Sequence, residues 1–163
     1  LSPYALQISR DDEVHLVLLA DGYEQAGSFD GQQRSVHACF QGFETDARMA
    51  HVRLSRSGAV TQATLVDGTT LRRPGVFEIE AAGRVGDLAI ATDVAGAVDV
   101  FSGGRLPALR LTVPTGAPRV VRLNDQPVSF ESAGSRLAVE TGQPLGGTQA
   151  GAAVVVPAHG AED

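Results

Sequence analysis

ARMAHVRLSRSGAVTQATLV, residues 47–66, reads as two strands joined by a tight turn. From Ala50 the apolar positions Ala50, Val52 and Leu54 alternate with His51, Arg53 and Ser55. Arg56-Ser57-Gly58 then supplies turn chemistry, and residues 59–66 resume a β-branched run. A period of two puts one set of side chains against a core and the other toward solvent, and a glycine-containing loop lets the chain fold back. The segment reads as a β-hairpin.

The same punctuation runs through the chain. Residues 13–20 (EVHLVLLA) form a strand whose apolar run from Leu16 predicts burial on both faces. Residues 36–43 read as one strand, and Asp67-Gly68 marks a turn before 69–72. Further strands are expected at 76–82, 88–94, 98–101, 108–113, 119–123, 127–130, 136–140 and 152–156. Turn signals recur about every 8–12 residues, and no segment carries a helical period. The expectation is an all-β fold, an antiparallel β-sandwich of roughly 12–14 short strands. It fills 1–158 as a single domain, with 159–163 as a frayed tail. Two stretches break the rhythm: a long loop at 21–35 and the glycine-rich 142–151. Long loops of this kind are often functional or interfacial.

At 163 residues the chain fits one domain able to bury roughly 70% of its unfolded surface. The net charge of −6 argues against nucleic acid and anionic membranes as partners, since both need a concentrated basic surface. No apolar run approaches the length of a membrane-spanning helix. All 13 basic residues are Arg, which together with abundant Ala, Gly and Val suggests a GC-rich bacterial genome. A single cysteine, Cys39, excludes an internal disulfide. The start at Leu-Ser-Pro, without Met, points to a piece of something longer.

Chemistry-bearing residues are few. His37, Cys39 and His51, with His15, fall in successive predicted strands and offer ligands of the kind zinc takes. They lack CxxC or HxxxH spacing, so we expect hydrogen-bonded sheet residues and a buried thiol, with no metal and no cofactor. The carboxylates Asp21, Glu24 and Asp30 lack EF-hand spacing. No Gly-x-Ser-x-Gly elbow or phosphate-binding glycine loop is present. Phe40, Phe77, Phe101 and Phe130 sit where core packing is expected. Tyr4, Tyr23 and Phe29 remain for exposed stacking. Tyr23, Phe29, Asp30 and Arg34, all in the long loop, are the candidates for contact with a ligand or a neighbouring domain.

Two stretches carry a family likeness. TDARMAHVRLSRSGAVTQATLVDGTTLRRPG (45–75) runs strand, glycine turn, strand, Asp-Gly, while PRVVRLNDQPVSFESAGSRLAVE (118–140) runs strand, Asn-Asp turn, Pro-Val-x-Phe, glycine turn, strand. Both resemble the C-terminal β-sandwich regions of heparinase II/III-like and alginate-lyase-like polysaccharide lyases, with Asp125 where glycine is usual. The resemblance implies that a helical catalytic domain of the same parent chain carries the elimination chemistry. The sandwich would then be a non-catalytic accessory domain of a secreted or periplasmic protein, bracing that domain and shaping its sugar cleft. The alternative is a free-standing carbohydrate-binding or adhesion module of a bacterial surface protein. No catalytic residue carries over by position.

Overall fold

A computed structural model describes residues 4–19, 38–113 and 118–139. The predicted strand 152–156, the glycine-rich 142–151, the tail 159–163 and the loop 21–35 lie outside these residues.

Among the described residues thirteen strands form one hydrogen-bonded sheet and no helix occurs. In chain order they are β1 (Tyr4–Arg10), β2 (Glu13–Leu19), β3 (Ala38–Phe40), β4 (Phe43–Thr45), β5 (Met49–Ser55), β6 (Val60–Arg73) and β7 (Phe77–Thr92). There follow β8 (Ala97–Phe101), β9 (Leu109–Thr112), β10 (Val120–Leu123), β11 (Gln126–Pro127), β12 (Glu131–Ala133) and β13 (Arg136–Val139). The all-β expectation is met as a single continuous sheet. It is antiparallel except where β10 lies parallel to β8, because the chain crosses to β9 between them.

The residue-47 hairpin stands as read: β5 and β6 pair antiparallel around Arg56-Ser57-Gly58, with Gly58 at φ 81°. Three other readings change. Of the predicted strand 36–43, the described residues 38–43 do not form one strand. Gln41 and Gly42 both take positive φ (52° and 78°), the requirement of a two-residue hairpin, and fold β3 onto β4. Leu6 and Ile8 alternate within an unanticipated strand, β1, which closes onto β2 through Asp11-Asp12. In β2 only Leu16 and Leu18 are buried, so the apolar run from Leu16 faces the core on one side alone.

The fourth change sets the architecture. Asp67-Gly68 is no strand-ending turn: β6 runs through it with a bulge, and β7 likewise runs through Gly83 and Gly86. The two long strands therefore each serve two half-sheets. The first half-sheet holds β1, β2, β5, the start of β6, the end of β7, β8, β10 and β11. The second holds β3, β4, the end of β6, the start of β7, β9, β13 and β12. At the bulge Asp67 sits at φ 53°, and a Cβ on Gly68 would lie 2.4 Å from the Cβ of buried Ala47. Glycine is there because the 46–47 segment crosses at van der Waals contact with bare backbone. Asp46 fixes the crossing: its carboxylate accepts the Thr69 amide at 2.9 Å and the Thr70 amide at 2.7 Å, together with both threonine hydroxyls.

One apolar core draws on both half-sheets. Leu16, Leu18, Val52, Leu65, Leu88 and Ile90 come from the first, and Phe43, Leu71, Phe77, Ile79, Leu109 and Leu111 from the second. Of the hairpin at 121–130, Val121 is buried, while Leu123, Val128 and Phe130 pack partly buried against the core.

Candidate functional site

Every strand that gives one face to the core shows the other outward, and the register defines what those outer faces carry. On the second half-sheet Glu44, Arg72 and Glu78 lie side by side across β4, β6 and β7, and Glu80 lies beside Arg110 on β9. Arg72 donates to Glu44 from Nε at 3.2 Å and from Nη2 at 3.0 Å. This is a solvated face of alternating charge.

The outer face of the first half-sheet is different. One row runs Leu6, Val17, His51, Thr64, Ala89, Phe101 across β1, β2, β5, β6, β7 and β8. A second runs His15, Arg53, Gln62, Ala91, Asp99, Arg122, with Ile8 beside His15. A third runs Leu19, Met49, Val66, Asp87. Leu6 (55% exposed), Ile8 (48%), Leu19 (40%) and Phe101 (40%) lie on this one face. Ion pairs flank it: Arg53 with Glu13, and Arg122 with Asp99 at 2.9 Å. The exposed apolar side chains stand toward its edges, on β1, at the end of β2 and at the end of β8, around a polar middle.

At the centre His15 and His51 share a hydrogen bond, Nδ1 to Nε2, at 3.0 Å, with near-parallel rings whose centroids are 5.2 Å apart. One ring donates and the other accepts, so the contact holds a single proton. Burial pushes the His51 imidazole below its ordinary range, and the His15 and Arg53 charges push the same way. Glu13 accepts from Arg53 Nε at 2.8 Å and lies 3.6 Å from His15 Nε2. Arg53 holds the Glu13 carboxyl below the usual carboxylate range, and Glu13 in turn raises Arg53. Among the described residues no serine or cysteine hydrogen-bonds to either imidazole.

A shallow hollow of about 300 Å³ opens at the other end of the face, lined by Thr64, Asp87, Ala89, Phe101, Ser102 and Asn124 among others. Small Ala89 forms its floor between Thr64 and Phe101. Its far wall is built by the 121–130 hairpin. Asn124 and Asp125 form the turn with φ of 48° and 65°. The Asn124 amide grips Ser102, accepting its N–H at 2.9 Å and donating to its carbonyl at 3.0 Å. Gly103 then donates its N–H to Asp87 Oδ2 at 3.1 Å.

Several residues singled out from the sequence fall elsewhere. Tyr23, Phe29, Asp30, Arg34 and His37 lie outside the described residues, as do Asp21 and Glu24. Cys39 is exposed on β3 opposite Glu44, not a buried thiol, because its neighbour Ala38 takes the inward position. His51 partners His15, and among the described residues no three potential ligands converge on a metal position. Phe101 is exposed, not core: Val98 and Val100 take the inward positions of β8, and the period of two turns Phe101 out. That alternation was already present in AVDVF. The chain matches no family model and no curated protein.

Proposed function

We propose that this chain is a non-catalytic all-β accessory domain of a larger bacterial polysaccharide-degrading, lyase-like protein, secreted or periplasmic. It docks the outer face of its first half-sheet on the helical catalytic domain of the same parent chain and borders that domain's sugar cleft. One observation carries the reading: the second half-sheet turns charge to solvent while the first turns Leu6, Ile8 and Leu19 outward. Exposed apolar surface concentrated on one face marks an interaction site.

The test is made in the full-length parent. Leu6→Asp with Ile8→Asp should split one cooperative calorimetric unfolding transition into two, while each change alters the stability of this domain by less than about 0.5 kcal/mol. A transition that stays single and unshifted removes docking by this face. A transition left single and unshifted together with polysaccharide affinity in the chain alone would instead favour the free-standing binding or adhesion module.

A further inference from the structure

We propose that the hollow beside Phe101 is a binding subsite for one neutral pyranose unit of a glycan chain. A pyranose ring is amphipathic: its axial C–H groups make one face apolar and its equatorial hydroxyls ring the edge. Phe101, 40% exposed, lines the hollow and supplies an aromatic ring of the kind that the C–H side takes. Ala89 leaves room at the floor, and about 300 Å³ matches the lower end of small-molecule sites.

The polar partners suit hydroxyls. Asp87 Oδ2 is occupied by the Gly103 amide, while among the described residues Oδ1 accepts no hydrogen bond. It is a fixed, charged acceptor for a sugar O–H, the stronger class of hydrogen bond. Thr64 lines the same hollow, and no hydrogen bond engages its hydroxyl among the described residues. The Asp87 charge also repels a carboxylate or sulfate, which selects neutral sugar over uronate at this position.

Two neighbours of Asp87 hold its carboxylate beside the hollow. A Cβ on Gly103 would lie 2.7 Å from Asp87 Oδ2 and 2.9 Å from Oδ1, so any larger residue would push the carboxylate out of its present place. Asn124 spends both amide atoms on Ser102, which fixes the segment carrying Gly103. Gly103 and Asn124 are positioning residues for Asp87.

The subsite rests on the reading above for the cleft it borders, but it is tested on this chain without a partner, so docking and sugar binding fail separately. The ¹⁵N-labelled chain is titrated with cellotriose, mannotriose and galactotriose, and with a galacturonate trimer, while amide shifts are followed. At least one neutral trimer should move Asp87, Ala89, Ser102 and Gly103 with saturation on the order of millimolar. The uronate should leave them still. Phe101→Ala should weaken binding about tenfold. Asp87→Asn and Gly103→Ala should each weaken it too, while Leu6→Ser leaves it unchanged. No movement with any neutral trimer, shifts that survive Phe101→Ala and Asp87→Asn, or saturable uronate binding at these amides would each overturn the proposal.

Discussion

Gly68→Ala adds one methyl group at the most crowded backbone crossing described. The new Cβ would stand 2.4 Å from Ala47 Cβ, 2.5 Å from Ala47 Cα and 3.0 Å from Ala47 N. Carbon atoms rest at about 3.5–4.0 Å, so one segment must retreat by roughly 1 Å. Neither can do so freely. Ala47 is fully buried, and Asp46 beside it ties both amides and both hydroxyls of Thr69 and Thr70. Overpacking costs about 1–3 kcal/mol, and a lost hydrogen bond to a charged group about 1.5–3 kcal/mol more. Against this, alanine recovers roughly 0.5–1 kcal/mol of unfolded-chain entropy. The expected net loss is about 2–4 kcal/mol, or a Tm lower by roughly 5–15 °C for a chain of this size. Urea unfolding followed by circular dichroism reads it directly. Adding Ala47→Gly removes the Cβ contact but not the Cα and N contacts, so the double-mutant cycle should return only part of the loss. A Gly68→Ala protein as stable as the parent, or one restored in full by Ala47→Gly, would refute the close backbone approach.

Three further outcomes follow from the same geometry. Burial raises the Asp46 carboxyl, but the hydrogen bonds from Thr69 and Thr70 together outweigh it and hold the group below the usual range. Its stabilisation is therefore complete above the unfolded pKa and lost as pH falls through the folded one; Asp46→Asn should cost about 1–3 kcal/mol near neutrality, a gap that closes below about pH 4 in urea titrations. The folded-state pKa of His51 is depressed, so the unfolded chain binds the extra proton and stability drops as pH falls from about 6.5. His51→Gln should flatten that slope between about pH 7 and 5, and an unchanged slope counts against the shared-proton pair. Phe77→Ala empties a fully buried position and should cost about 3–5 kcal/mol by the same unfolding assay.

What was legible in the sequence was local. Period-two alternation and the Arg56-Ser57-Gly58 turn identified the central hairpin, and Asn124-Asp125 identified the hairpin that now walls the hollow. What was missed depends on partners distant along the chain. Glycine signals a turn and a bulge equally well, and only the approach of Ala47 makes Gly68 a bulge within a continuous strand. His15 and His51 were both placed on strands, yet their contact follows from β2 pairing with β5, which local pattern does not specify. Phe101 is the exception. Inward Val98 and Val100 already implied its outward turn, and aromatic character was read as core ahead of alternation.

The outward apolar face of the first half-sheet is the centre of this account, and hydroxyl-radical footprinting tests it most directly. Side-chain oxidation is compared between this chain alone and the full-length parent. Docking predicts strong protection of Leu6, Ile8 and Leu19 in the parent, with Glu44, Arg72 and Arg110 on the second half-sheet equally reactive in both. Equal reactivity of Leu6, Ile8 and Leu19 in the two proteins would contradict it.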